Sequence, residues 1–253
     1  MTNKVIEISN LSKSFGNKHV LKDVSLSIYP RESYVIIGGS GTGKSVLIKC
    51  ILGLLKHDSG IIKINGKDIS KMTQKEMNEI LLKCGVLYQG GALFDSLNVI
   101  DNVAFGLIYG YSMSQKEAYK IAIEKLEAVD LDEKIAMLSP SELSGGMKKR
   151  VALARAIATS PDIIFFDEPT TGLDPITSGT INELIVRCTK DMGISALSIT
   201  HDLNSLRFIS DRTGLLYDGK IIWEGTKEEI DTSTNPYVRQ FISGSSKGPF
   251  TKR

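Results

Sequence analysis

The chain has 253 residues, 42% of them hydrophobic, with charges of both signs interspersed; that is enough for one large α/β domain with a real core. The formal net charge of +2 argues against a polyanion-binding protein, so no nucleic-acid partner is expected. No apolar run approaches the roughly 20 residues that span a bilayer, and Met1–Lys4 leads straight into an apolar strand-like run with no signal-peptide pattern. Any work in a membrane is therefore expected of a separate subunit.

Short strand-like runs open the chain at Val5–Leu11, Val24–Ile28 and Ser33–Ile37, the last β-branched and apolar as a buried parallel strand should be. It stops at a glycine-rich turn, Gly38-Gly39-Ser40-Gly41-Thr42-Gly43, and a helix is predicted from Lys44 to about Leu54. Ile61–Ile64 meets Asn65-Gly66, a hairpin signal. With the early strands it predicts an antiparallel sheet beside the parallel one. From Gly90 to about Ser160 the pattern is mainly helical. Over Gln115–Leu131, Ala118, Ile121, Ala122, Leu126 and Val129 share one face, a core stripe. Strands resume at Ile163–Phe166 and Ser195–Thr200 with a helix between them. Thr213–Tyr217 and Ile221–Glu224 flank the turn Asp218-Gly219, and Thr226-x-x-Glu229 has the form of a capping box. The Gly/Ser-rich tail after Ser243 is expected to be mobile. Cys50, Cys84 and Cys188 form no CxxC pair and sit among apolar neighbours. They read as small core residues in a reducing compartment, the alternative being a metal site or redox switch.

Gly38-x-x-x-x-Gly43-Lys44-Ser45 fits the P-loop pattern, with a strand before it and a helix after it. The glycines let the backbone wrap phosphates and aim N–H groups inward, and the helix N-terminus through Val46 favours an anion. Lys44 adds a cation for the β- and γ-phosphates, and the Ser45 hydroxyl is a hard oxygen ligand for Mg2+. The plainer alternative is a glycine turn followed by an ordinary lysine. Ile163–Phe166 runs into Asp167-Glu168. In a P-loop fold the strand beside the phosphate strand carries an acid that holds magnesium through water, which suits Asp167. Glu168 is then set to polarise the water attacking the γ-phosphate. Alone, the two acids would read as a soluble strand end before Pro169.

Leu143-Ser144-Gly145-Gly146-Met147, ahead of Lys148-Lys149-Arg150 and a helix through Ala158, resembles the signature of the ABC ATPases, with Met147 where glutamine is usual. Locally it is a capped helix start with Ser144 at the N-cap, and that start is a second anion site. The resemblance implies that Ser144, Gly145 and Gly146 of one subunit cover the γ-phosphate held by the other, so that ATP joins a head-to-tail pair of chains. It also implies a Q-loop glutamine at Gln89, which senses the γ-phosphate and magnesium, and a D-loop at Gly172-Leu173-Asp174 that crosses the dimer interface. His201, straight after Leu197–Thr200 and about thirty residues beyond Glu168, resembles the switch histidine. Phe15 stands where the family stacks a ring on adenine, with Val20 near the base, and otherwise reads as a sheet-packing aromatic. The implied fold is an α/β P-loop ATPase core with an antiparallel β subdomain and an inserted helical subdomain. The ATPase domain would cover 1–242, with its core about 1–89 and 160–242 and the helical part about 90–159, followed by a polar tail over 243–253.

Gln89-Gly90-Gly91-Ala92-Leu93-Phe94-Asp95-Ser96-Leu97, Asn98–Phe105, Met147 and Asp174-Pro175-Ile176-Thr177 resemble the ATPase subunits of Mla-type phospholipid transporters. That resemblance implies a transmembrane permease, an MCE-domain lipid-binding partner and a peripheral location on the cytoplasmic face of the inner membrane. Leu93, Phe94 and Leu97 are candidates to line the groove that receives a short permease helix, or else pack internally. Other cargo remains open: amino acids or metals for an importer, lipoproteins for an exporter. A DNA-repair or chromosome ATPase would place a long coiled coil between the P-loop and the signature. Here only about a hundred residues lie between them, without sustained heptads. A translation factor of this family would need two cassettes, and one is present.

Overall fold

The computed structural model describes residues 4–251. In chain order they form β1 (Ile6–Phe15), β2 (Lys18–Ile28), β3 (Ser33–Ile37), α1 (Lys44–Ile51), β4 (Ser59–Ile64), β5 (Lys67–Asp68), α2 (Gln74–Leu81), β6 (Cys84–Leu87), α3 (Val99–Phe105), α4 (Gln115–Ala128) and α5 (Gly145–Ala158). Then follow β7 (Ile163–Asp167), α6 (Pro175–Lys190), β8 (Ser195–Thr200), α7 (Leu203–Ile209), β9 (Arg212–Tyr217), β10 (Lys220–Thr226), α8 (Lys227–Thr232) and α9 (Pro236–Ser243). The described residues up to Met72 and from Leu197 onward make one compact unit and Thr73–Ala196 the other, the division falling inside β8.

The first unit holds the expected antiparallel sheet, in the order β2-β1-β4-β5. Its register sets Ile6 opposite Ile28 and Ile64, and Ile8 opposite Leu26 and Ile62, so two rows of buried side chains line one face. Glu7 falls on the other face and accepts from Lys4 and Lys63. The hairpin is longer than its apolar pattern suggests. Asn10 and Asp23 take left-handed backbone, and the register shifts between Ile8 and Leu11. A bulge moves the alternation to the other face, which hides the outer half of each strand from a period-two reading. The unit's other strands follow the order β10-β9-β3-β8, with β3 parallel to β9 and β9 antiparallel to β10. Asn65-Gly66 and Asp218-Gly219 both have positive φ at the two central positions, as hairpin turns of the primed type require.

α1 ends at Ile51, short of the expected Leu54, because Gly53 turns left-handed and its N–H bonds the Cys50 carbonyl. The tail does not stay loose. Phe250 packs against Tyr217, Tyr237 and Phe241, with centroids 4.8, 5.5 and 6.3 Å away. The Gln240 side chain accepts from the Phe250 N–H and donates to the Ser245 carbonyl. One aromatic residue in a polar stretch is enough to fold it back.

In the second unit β6 and β7 pair in parallel, Val86 beside Phe165 and Leu87 beside Phe166, and α3, α4 and α5 pack on one another. The α4 stripe is buried at Ala118, Ala122, Leu126 and Val129 and half-buried at Ile121. The helix stops at Ala128, three residues before the expected end, on a Schellman cap. Asp130 is left-handed, its N–H bonds the Glu127 carbonyl and the Leu131 N–H bonds that of Leu126. α2 is amphipathic without a buried residue and is opened by a Thr73–Glu76 capping box. All three cysteines are free; burial pushes the Cys50 thiol up to about 11 and those of Cys84 and Cys188 up to about 12. No helix among the described residues is long and apolar enough to cross a membrane.

Candidate functional site

The glycine-rich turn in the first unit is closed on itself. Lys44 is 8% exposed, and its Nζ donates to the carbonyls of Gly38 at 2.9 Å and Gly39 at 3.0 Å. Thr42 Oγ1 donates to the Gly39 carbonyl. The ammonium therefore lies along the loop. Gly43 is the N-cap of α1, with φ 104 and no side-chain cap. A Cβ there would come within 3.0 Å of Val20 and Leu21, and one at Gly38 within 2.4 Å of the Leu216 carbonyl. Only glycine lets the backbone pass there. Val20 is thus brought against the cradle. Ser40, Gly41 and Ser45 are exposed and Val46 is half-buried. Phe15 is 49% exposed at the end of β1 with Lys13 Nζ over its ring, so it is not packed away inside a sheet. His201 is exposed at the end of β8, just before Asp202 caps α7 through Asn204 and Ser205.

In the second unit, β7 delivers Asp167 and Glu168 to its C-terminal end, both half-buried. Glu168 has φ 51, a strained backbone for a residue with a Cβ. Thr171 holds it, through its N–H on the Glu168 carbonyl and its hydroxyl on Glu168 Oε2 at 3.0 Å. Gln89 is exposed just past β6. Lys149, on α5, donates a short hydrogen bond to the Gln89 carbonyl and a longer one, 3.4 Å, to that of Glu168. Nothing in the order of residues along the chain points to it.

Ser144 caps α5, its hydroxyl accepting from the Met147 N–H, and both Ser144 and Gly145 are exposed. A Cβ on Gly146 would meet Thr177 at 2.5 Å, and the Thr177 hydroxyl donates to Asp174 at 2.5 Å. The signature start and the start of α6 are thereby joined. Asp174 also caps α6 by accepting from the N–H groups of Ile176 and Thr177, and the Thr177 hydroxyl and amide hold its carboxyl below the usual range. Among the described residues no three His, Cys, Asp or Glu side chains form a metal cluster. Any bound cation would have to use few carboxylates, as Mg2+ does when it keeps waters and substrate phosphates.

A groove of about 450 Å³ also lies in the second unit, lined by Leu81, Leu82, Val86, Phe94, Phe105 and Thr159 among others. Phe94 is 43% exposed and packs on Phe105 with centroids 4.6 Å apart, and the Arg155 guanidinium lies over its ring at 5.6 Å. Arg155 in turn donates to the carbonyls of Gly91 and Ala92. Of the three expected lining residues Phe94 faces the groove; Leu93 and Leu97 are half-buried outside its lining.

The ABC transporter family model matches residues 21–171. A probable ribonucleotide transport ATP-binding protein, mkl, of Mycobacterium leprae is 42% identical over 96% of this chain and 70% of its own length. The intermembrane phospholipid transport system ATP-binding protein MlaF of Haemophilus influenzae is 39% identical over 98% of this chain and 94% of its own. Among solved structures, a dimeric ATP-binding cassette in a post-hydrolysis state bound to ADP and Pi matches with a TM-score of 0.81 and 34% identity, covering 88% of this chain and 98% of that one. The chain belongs to the ABC transporter family. Within it the chain is an ATP-binding cassette, an α/β nucleotide-binding domain with an antiparallel sheet and a helical part, and ATP hydrolysis is the activity of that family.

Proposed function

We propose that this chain is the ATPase subunit of a phospholipid transporter, and that it drives a transmembrane permease working with an MCE-domain lipid-binding protein at the cytoplasmic face of the inner membrane. The observation that carries the reading is the likeness to MlaF over almost the whole of both chains. The Gln89–Leu97 stretch and Met147 resemble the same subgroup.

In this reading the amides of Gly38–Val46, with Lys44, cradle the phosphates, and Phe15 and Val20 flank the adenine. Ser45, Asp167 and Gln89 would hold Mg2+, which would neutralise charge on the phosphates. Glu168 takes the proton from the attacking water, and His201 contacts the γ-phosphate. Ser144, Gly145 and Gly146 of a second copy complete the site, with Asp174 beside them, so ATP favours the closed pair over the open one. Residues 90–159 act as an inserted helical subdomain on a core of 1–89 and 160–242. The groove lined by residues of both 81–88 and 92–159 takes a short permease helix, with Phe94 as anchor.

The test is to purify the native complex in detergent, identify what accompanies it by mass spectrometry, and measure ATP-dependent lipid exchange after reconstitution. Phospholipid and an MCE-domain partner are expected. A complex without lipid, stimulated by ribonucleotides or by an amino acid with its binding protein, would remove the lipid reading and leave the ATPase standing.

A further inference from the structure

Lys149 is the fifth residue of α5 and is 4% exposed. Burying an ammonium costs several kcal/mol unless it is well partnered, and a methionine would fill the same volume without that cost. Burial does lower the Lys149 pKa, against the pull of the Asp167 and Glu168 carboxylates. What the ammonium does is donate to two backbone carbonyls from different strand ends, Gln89 after β6 and Glu168 after β7. Glu168 is the residue of this pair with a strained backbone, φ 51, which persists only where its surroundings hold it. Lys149 and the Thr171 N–H both donate to its carbonyl. Ser144 caps the same helix one and a half turns earlier, and the intervening backbone is hydrogen-bonded from its start, Lys148 N–H to the Ser144 carbonyl.

We propose that Lys149 is a positioning residue that links the Ser144 end of α5 to the backbone of Gln89 and Glu168, and so carries cooperativity between the two ATP sites of the dimer. The inference rests on the roles given above to Ser144, Gln89 and Glu168. Each α5 then begins at the nucleotide of the neighbouring chain and, through Lys149, reaches the sensor and the base of its own. Nucleotide held at Ser144 fixes the helix, and the fixed helix sets Glu168 in its productive backbone. Lys149 acts through these two backbone carbonyls.

The experiment measures steady-state ATP hydrolysis by the whole transporter complex carrying Lys149→Met or Lys149→Arg. A cooperative enzyme with two sites gives a Hill coefficient above 1 and at most about 2. Lys149→Met should lower kcat at least about tenfold, leave KM within about twofold and bring the Hill coefficient to about 1. Lys149→Arg keeps a cation with several donors and should regain the cooperativity. If the methionine variant does not fold, Lys149→Gln replaces it, with a Hill coefficient between the two expected. A wild-type complex that is not cooperative, or a folded Lys149→Met or Lys149→Gln complex with wild-type kcat and Hill coefficient, overturns the proposal. So does a loss of kcat that leaves the Hill coefficient unchanged. Glu168→Gln in the same complex separates the two levels. If that variant hydrolyses ATP normally, the assignment of the base has failed. If it is inactive while Lys149→Met is normal, only the present inference has failed.

Discussion

Asn102 holds Phe94 by both of its backbone polar groups: Oδ1 accepts from the Phe94 N–H at 2.8 Å and Nδ2 donates to the Phe94 carbonyl at 3.1 Å. The same Nδ2 also donates to the carbonyls of Leu97 and Asn98. One fully buried amide thus moulds the loop that presents Phe94 to the groove.

Asn102→Ala leaves those backbone groups without their partner, at a cost of about 1–3 kcal/mol in stability. It should also weaken stimulation of the ATPase by the permease more than the basal rate. Urea unfolding and a comparison of basal with permease-stimulated hydrolysis measure the two effects. Stimulation unchanged in a folded variant would mean that the loop does not couple the subunits.

Glu168→Gln keeps the shape of the side chain and its bond to Thr171, but an amide cannot take a proton from water. Turnover should fall about a hundredfold or more, near 2.7 kcal/mol in barrier, with ATP binding kept. Size-exclusion chromatography in ATP should then show a stable dimer. A monomer with normal turnover would remove Glu168 from its role.

Ser144→Arg sets a bulky cation where the neighbour's γ-phosphate would lie, and Lys44→Ala empties the cradle of its side-chain cation. Each homodimer has two sites with one damaged half apiece, and both should be inactive, down about a hundredfold or more. The mixed dimer has one site with both halves intact and one with both damaged. Mixing the two inactive chains should therefore restore measurable hydrolysis. No recovery in a verified heterodimer would exclude completion of the site in trans.

Phe250→Ala removes the ring that seats the tail on Tyr217 and Tyr237. Phe250 is half-buried, so the loss should fall at about 1–2 kcal/mol, below the 3–5 of a fully buried phenylalanine. The denaturant midpoint should drop, and amide exchange over 244–251 should rise. A tail that exchanges as fast in the wild type would mean that the packing is not kept in solution.

Much of the fold is legible in the sequence because its signals are local. Ser33–Ile37 and Ser195–Thr200 are strands at the bounds their apolar runs suggest, and Ser144 and Thr226 are N-caps as their spacing implies. The β1–β2 hairpin was half hidden because bulges at Asn10 and Asp23 break the alternation that a strand reading depends on. α2 leaves no apolar stripe in the sequence because it buries no residue, although Thr73-x-x-Glu76 is the same capping pattern as Thr226-x-x-Glu229. Of the site, the glycine turn and the acids at the end of β7 announce themselves by residue type and order. Lys149, Arg155 and Asn102 do not. Lys149 and Arg155 act on backbone carbonyls far away in the chain, and Asn102 on the irregular backbone of a nearby loop; such bonds leave no spacing to read.

The three cysteines bear on how motion in this molecule is to be watched. With thiol pKa values pushed up to about 11 or 12, less than about one part in ten thousand is thiolate at neutral pH, against a few per cent for an ordinary exposed cysteine. Maleimides and disulfide reagents should therefore pass the native thiols by. A single cysteine introduced at Ile176, 84% exposed, would take a spin label or fluorophore alone, without first stripping the chain of its own sulfur. The distance between two such labels then reports opening and closing in a protein whose sequence is otherwise untouched.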